Sequence, residues 1–193
     1  QVRVKQKAAG INFIDVYFRN GAYPPPGGYP FIAGNEGSGD VTAVGSGVTD
    51  IKVGDRVAAV FPFGGYATER NVPADRAVKV PANISHEQAA GMMLKGLTAQ
   101  YLVRRTHKVQ KGDTVLMHAA AGGVGLILCQ WAAHLGATVI GTVGSKDKAD
   151  LAKKNGCHHV ILYKDEDFVA KVKEIAGGKI CDVVYDGVGK TTF

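Results

Sequence analysis

A run of small residues between a predicted strand and a predicted helix is the first feature with clear chemical meaning. Residues 118–125 read HAAAGGVG, after an apolar strand predicted at 114–118 and before a helix predicted at 123–135. Small residues let the backbone touch a pyrophosphate, whose charge then faces the free N–H groups of the helix N-terminus. This context makes the pattern more specific than a lone glycine motif, although a tight turn in a protein without a nucleotide is the alternative. The predicted dinucleotide-binding residues are Ala121, Gly122, Gly123, Val124 and Gly125.

The end of the next predicted strand indicates which dinucleotide is favoured. An NAD site places Asp or Glu about 20 residues beyond the glycines, where the carboxylate accepts from the ribose 2′-hydroxyl. Here Gly144 and Ser145 stand at that place, and Lys146 and Lys148 follow. Lysines can pair with a 2′-phosphate, so this strand end favours NADPH over NADH. Asp147 argues against this choice, unless its side chain faces solvent on the next helix.

The chain divides into two parts with different composition and periodicity, and these parts contain the elements that position the residues named above. Residues 1–96 are rich in Gly and Pro and hold short β-like runs at 39–44, 55–60, 66–70 and 77–80, which predicts an irregular, barrel-like β domain. A capping box of Ser85 and Gln88 then begins a helix. Residues 97–193 alternate strands and helices, which predicts a parallel, doubly wound α/β sheet. Its further predicted strands span 137–143, 160–162 and 180–185, and its further helices span 146–155 and a segment whose first turn holds Asp165, Glu166 and Asp167.

Composition and charge exclude several other classes of protein. The chain has 193 residues, 46% hydrophobic content and a net charge of +6 that is spread along its length. These values are ordinary for a soluble globular protein, and no apolar run approaches the roughly 20 residues that span a bilayer. The three cysteines form no CxxC pair, which argues against a zinc lobe or a disulfide framework. We expect a cytoplasmic protein with buried free thiols, and the two uncapped ends predict a piece of a longer chain.

Several segments in order resemble the zinc-free quinone oxidoreductases, the ζ-crystallin-like branch of the medium-chain dehydrogenase/reductase superfamily. Besides the glycine turn they read AGINFID at 9–15, GSGV at 45–48, VGDRV at 53–57, KGLTA at 95–99, GTVGSKDK at 141–148 and YDGVG at 185–189. The resemblance covers nearly the whole chain. It implies a GroES-like catalytic domain at 1–96 and an NADP-binding Rossmann domain at 97–193, both incomplete here.

The resemblance also implies roles for individual side chains. It places Asn12 and Tyr17 at the nicotinamide and the substrate, where they polarise or protonate the acceptor oxygen. It places Thr98 on the nicotinamide side, Tyr163 near the adenosine phosphate and Val188 in the turn after the fourth strand of the Rossmann domain. Structural roles compete with two of these assignments, because Asn12 can simply cap a turn and Tyr17 can simply pack.

Comparison with the zinc-dependent relatives argues against a metal. Those proteins carry a Cys in the first catalytic segment and Gly-His-Glu in the next, where this chain has Asn12 and Gly34-Asn35-Glu36. A lone Glu cannot form a three-ligand catalytic site. Cys157, His158 and His159 suggest a cluster, but adjacent residues of a strand point to opposite faces. We therefore expect no metal.

A site without a metal suits quinones better than alcohols. Alcohol oxidation loses the Lewis acid that stabilises the alkoxide, whereas hydride addition to a quinone gives a delocalised anion. The site then mainly positions the hydride against a flat acceptor, in a slot that Asn12, Phe13, Tyr17 and Tyr23 are expected to line. NADPH-dependent quinone reduction is the expected function. The alternatives are reduction of enones or acryloyl compounds, or an RNA-binding, crystallin-like role, and the resemblance implies a homodimer.

Overall fold

The computed structural model describes residues 1–192 and divides the chain into two compact units. The first unit spans Gln1–Leu94 and the second begins at Lys95. The division falls inside helix α2 (His86–Tyr101), two residues before the boundary that we placed after residue 96. The capping box at the start of this helix is present, because Ser85 N donates to Gln88 Oε1 and Gln88 N donates to Ser85 Oγ.

The first unit is built on a five-stranded antiparallel sheet with the order β4-β1-β2-β3-β5. Its strands are β1 (Val2–Gly10), β2 (Glu36–Val44), β3 (Arg56–Val60), β4 (Glu69–Val72) and β5 (Val78–Lys79), and helix α1 (Phe13–Arg19) follows β1. Alternating residues such as Val2 and Val4 point to one face, where they form a core with Val41 and Val57. No ladder joins β4 to β5 in the described residues, so the sheet is open between these two edge strands.

Strand β4 begins three residues later than the sequence suggested. The expected strand at 66–70 is replaced at its start by a turn, in which Gly65 N donates to the carbonyl of Gly34 and Tyr66 N to that of Ala33. These bonds hold the segment against residues 32–34 instead of in the β1 ladder. This turn brings Tyr66 toward the residues that follow β1.

The second unit contains a four-stranded parallel sheet with the order β8-β7-β6-β9. Its strands are β6 (Thr114–Met117), β7 (Thr138–Val143), β8 (His159–Leu162) and β9 (Val183–Tyr185), and its helices after α2 are α3 (Gly123–His134), α4 (Lys146–Lys154) and α5 (Phe168–Ile175). One face of the sheet packs against α3 and α4, and the other face, with Ile140 and Ile161, packs against α5. Helices on both faces confirm the doubly wound prediction.

Two element bounds in this unit differ from expectation by more than one residue. The acidic run at 165–167 precedes α5 instead of forming its first turn, and Asp167 is the N-cap whose Oδ1 accepts from Val169 N and Ala170 N. A cap with a carboxylate satisfies the free N–H groups better than acidic residues inside the turn. Strand β9 begins at Val183 instead of residue 180, and Ile180 is 90% exposed.

The connections of the parallel sheet fall at two opposite edges. Each connection that enters a strand, at the amino edge, contains a glycine with positive φ: Gly112, Gly136, Gly156 and the Gly177–Gly178 pair. Each connection that leaves a strand lies at the carboxyl edge, where doubly wound sheets bind their ligands. Among the described residues, no helix combines the length and the apolar character that a membrane crossing requires.

Candidate functional site

The glycine turn closes tightly on the first turn of α3. Ala119 adopts a φ of 53°, and Gly122 is the extended N-cap residue of the helix. A Cβ on Gly125 would lie 2.5 Å from the carbonyl oxygen of Ala119 and 2.6 Å from that of Ala120, so only glycine fits there. The first N–H groups of α3 have no partner within the helix and can receive an anion at this edge.

A buried histidine immediately precedes the turn. His118, the first residue after β6, is 1% exposed, and its Nδ1 lies 2.8 Å from Thr142 Oγ1 on β7. Its ring also meets the edge of Phe168 at a centroid distance of 5.2 Å. Burial lowers the pKa of His118, against a smaller opposing effect of Asp186. The neutral ring therefore joins β6, β7 and α5.

The residues expected at the adenosine end lie together after β7 and β8. Ser145 is the extended N-cap of α4, and Lys148 is exposed in the first turn of that helix. A Cβ built on Gly144 would lie 3.1 Å from the Tyr163 hydroxyl and 3.5 Å from Lys164 Cε. Sequence reasoning missed Lys164, although a second basic residue directly after Tyr163 was a usable signal.

The remaining predicted residues occupy three different places. Val188 lies in the loop after β9, where its N–H donates to Asp186 Oδ1 at 2.7 Å, and it therefore shares the carboxyl edge with the glycine turn. Thr98 is half-buried on α2 and not on one of these loops. Asn12 and Tyr17 belong to the first unit. The side chain of Lys95 packs against Gly123, because a Cβ built on Gly123 would lie 2.7 Å from Lys95 Cδ. Sequence reasoning did not single out this lysine.

A largely apolar cavity of about 400 Å³ lies beside α1 in the first unit. The helix places residues 12, 15, 16 and 19 along one face, because positions three and four apart are neighbours on a helix. The walls are Ile11, Asn12, Asp15, Val16, Arg19, Tyr29, Phe31, Ala33 and Tyr66. Its volume suits a small flat molecule.

The aromatic side chains of this cavity are not those expected from the sequence. Phe13, Tyr17 and Tyr23 are absent from its walls, and Phe13 is 80% exposed. Phe13 and Tyr17 occupy the next face of α1, about 100° around the helix from Asn12 and Val16. Tyr17 instead meets Tyr23 edge to face, at a centroid distance of 5.3 Å. This cavity therefore shares Asn12 alone with the expected four-residue slot, which stays a prediction.

A polar network lies at the base of the cavity. Asp15 Oδ2 accepts from Asn12 N at 2.9 Å and from the Tyr66 hydroxyl at 2.7 Å. Burial and the bond to Asp15 raise the pKa of Tyr66 to about 12, so its hydroxyl keeps its proton. Asn12 Nδ2 donates to Glu36 Oε1 at 2.8 Å, and Leu94 N donates to Glu36 Oε2 at 2.6 Å. Asn12 thus begins α1 and also contributes to the cavity wall.

The side chains that could suggest a metal make other contacts. Asn35 Nδ2 donates to the carbonyl of Phe61 at 3.3 Å. Cys157 Sγ lies 3.3 Å from Cys129 Sγ, and His158 Nδ1 accepts from Val139 N at 3.0 Å. Over residues 1–192, no group of three or more His, Cys, Asp or Glu side chains is arranged to hold a metal ion.

Comparisons with known proteins agree with this architecture. Residues 1–111 match the family model of the alcohol dehydrogenase GroES-like domain, and residues 123–193 match that of zinc-binding dehydrogenase. The chain is 52% identical to a 2-haloacrylate reductase from Burkholderia sp, across 100% of its own length and 60% of that protein.

Two solved structures are similar over nearly the whole chain. The quinone oxidoreductase of Pseudomonas syringae pv. Tomato DC3000 gives a TM-score of 0.94 at 52% identity, covering 100% of this chain and 59% of that one. The Escherichia coli quinone oxidoreductase, solved with NADPH, gives a TM-score of 0.93 at 53% identity. The match covers 98% of this chain and 58% of that one. The chain thus spans about 60% of the length of the relatives it matches. It belongs to the medium-chain dehydrogenase/reductase superfamily, with the alcohol dehydrogenase GroES-like domain followed by the first part of a Rossmann domain.

Proposed function

We propose that the full-length protein reduces quinones with NADPH and without zinc. The observation that carries this proposal is the shared carboxyl edge, where the glycine turn, Ser145, Lys148 and Tyr163 all lie. The Escherichia coli relative that was solved with NADPH supports the choice of cofactor. The names of two similar structures support the choice of acceptor.

The residues of the second unit fit an anionic dinucleotide. The absent side chain at Gly125 lets the turn close against α3, so the backbone from Ala121 to Gly125 can lie against a pyrophosphate. Lys148 and Lys164 would hold a 2′-phosphate beside Ser145, next to the Tyr163 hydroxyl. We propose Thr98 and Val188 as contacts to the nicotinamide half of the cofactor. Bound NADPH would supply a hydride.

On the substrate side, the cavity of the first unit would receive the flat acceptor. Its apolar walls exclude water from the reacting face, and the amide of Asn12 offers a polar group to the acceptor oxygen. Tyr17 is proposed to act beside the nicotinamide from the neighbouring face of α1. No Lewis acid is part of this scheme, since Asn12 and Asn35 stand where zinc-dependent relatives have ligands and their amides bond to protein groups.

The test of cofactor choice is Lys148→Ala, with Lys154→Ala as the matched control on the same helix. Loss of a charged hydrogen bond costs about 1.5–3 kcal/mol. We therefore expect about 10- to 100-fold weaker NADPH binding in a fluorescence titration of the full-length protein. NADH binding should barely change, and Lys154→Ala should bind both cofactors normally. Equal losses for NADPH and NADH in Lys148→Ala would refute the assignment.

A second candidate is reduction of an activated carbon–carbon double bond. The 52% identity to a 2-haloacrylate reductase favours it, because an acrylate can accept a hydride in the same geometry. Steady-state NADPH oxidation with a benzoquinone, a 2-haloacrylate and an alkenal would decide between the candidates. The quinone should give the highest kcat/KM, and a higher value for the acrylate would make the second candidate the function.

A further inference from the structure

Glu36 is a completely buried carboxylate beside the candidate substrate site. It is 0% exposed, and its two oxygens accept from Asn12 Nδ2 and from Leu94 N. The pairing of β1 with β2 explains its position, because Glu36 is the register partner of Gly10 and Asn12 follows two residues later. A Cβ on Gly10 would lie 2.3 Å from Glu36 Oε1, so the glycine leaves the room that the carboxylate occupies.

The chemistry of a carboxylate decides which way the amide of Asn12 faces. An ionised carboxylate only accepts hydrogen bonds, whereas an amide has one donating and one accepting end. If the amide turned over, Oδ1 of Asn12 would face an oxygen of Glu36, and the 2.8 Å bond would become a repulsion. Glu36 therefore holds Nδ2 toward itself, and Oδ1 of Asn12 faces away from Glu36.

We propose that Glu36 is a positioning residue, which fixes the orientation of the Asn12 amide for the reduction reaction. This inference rests on the proposed function. In the zinc-dependent relatives the matching Glu belongs to the metal segment, and here the same position orients an amide. This role requires no change of fold, since Glu36 is part of β2 and pairs with Gly10 of β1.

Glu36→Gln tests this role with almost no change in volume. Gln has one accepting and one donating end, so it cannot accept from both Asn12 Nδ2 and Leu94 N. When its oxygen stays on Leu94 N, its own NH₂ faces Asn12, and the Asn12 amide must turn over to accept. The variant should keep the fold and reverse the donor and acceptor that Asn12 presents.

The first measurement reads the amide itself, without cofactor. In full-length protein with ¹⁵N-labelled asparagine, the Asn12 side-chain signals are identified by their loss in Asn12→Ala. A charge-assisted hydrogen bond is the stronger kind and holds one Nδ2 proton downfield. We expect that proton to move upfield in Glu36→Gln, and an unchanged Asn12 pair would overturn the proposal.

The second measurement is kinetic, with Ser38→Ala as the control. Ser38 is 1% exposed on the same strand and donates to the carbonyl of Val57, so it matches Glu36 in burial but not in contact with Asn12. We expect kcat with a benzoquinone to fall about 10- to 100-fold in Glu36→Gln, by analogy with the loss of a residue that orients a metal ligand. The KM for NADPH should change less than twofold.

Two outcomes distinguish failure of the positioning role of Glu36 from failure of the proposed function. If Ser38→Ala loses as much kcat as Glu36→Gln at a similar melting temperature, the effect is structural and the positioning role is wrong. If the unmodified protein oxidises no NADPH with any quinone, the proposed function fails, and the Asn12 signals still decide the role of Glu36.

Discussion

Replacement of Gly125 by Ala would test the tightest contact of the glycine turn. The added Cβ would meet the carbonyl oxygens of Ala119 and Ala120 at 2.5 and 2.6 Å, closer than real Cβ contacts occur. Both atoms belong to the backbone and cannot swing away, so the turn itself must move. Overpacking of this kind costs about 1–3 kcal/mol, and a rigid neighbour places the cost at the upper end.

The expected magnitude follows from that cost and from one opposing effect. Ala is favoured over Gly inside a helix by about 1 kcal/mol, which offsets part of the strain. The net loss is about 2 kcal/mol, or a fall of roughly 4–8 °C in the melting temperature for a chain of this size. NADPH should bind at least about tenfold more weakly, because the displaced carbonyls belong to the turn that would hold the pyrophosphate.

Gly91→Ala is the matched control for this substitution. Gly91 lies inside α2, and a Cβ there would meet no atom within 4 Å. Thermal unfolding and a fluorescence titration with NADPH should therefore show no loss in Gly91→Ala. The reasoning is refuted if Gly125→Ala unfolds at the same temperature as the unmodified protein, or if both variants lose equally.

Two further predictions concern stability. Burial holds the folded pKa of His118 below its unfolded value of about 6.5, so the stability it contributes is complete above that pH and declines as the pH falls. In urea titrations at several pH values, His118→Gln should show a shallower decline between pH 7 and 5 than the unmodified protein. Asp167→Ala should lower the free energy of unfolding by about 1 kcal/mol, since Val169 N and Ala170 N lose their acceptor at the start of α5, whereas Asp167→Asn should be nearly neutral in the same titration. An unchanged slope in His118→Gln, or an equal loss for the two Asp167 variants, would contradict these assignments.

The parts of the fold that sequence predicted correctly are those set by local patterns. The glycine turn, the strand and the helix that flank it, and the capping box at Ser85 each depend on residues within a few positions of one another. Their signals, such as small residues before a helix, act without help from distant parts of the chain. The doubly wound sheet was predictable for the same reason, since strand and helix alternate along the sequence.

The cavity of the first unit was not predictable, because distant residues build it. Tyr66 reaches Asp15 across 51 positions, and Glu36 reaches Asn12 across 24. The register of β1 against β2 and the turn before β4 bring these groups together, and neither leaves a local pattern in the sequence. The homodimer and the cytoplasmic location, which also depend on more than local pattern, stay predictions.

The parallel sheet gives its two edges different freedom to change in evolution. Connections at the amino edge, such as the Gly177–Gly178 turn, can be lengthened without contact with a candidate ligand group. Exposed side chains after β7, such as that of Lys148, can be exchanged without altering the hydrophobic faces that pack against the helices. Cofactor preference and stability can therefore vary separately. A substitution confined to the residues after β7 could convert the same scaffold from one dinucleotide to another.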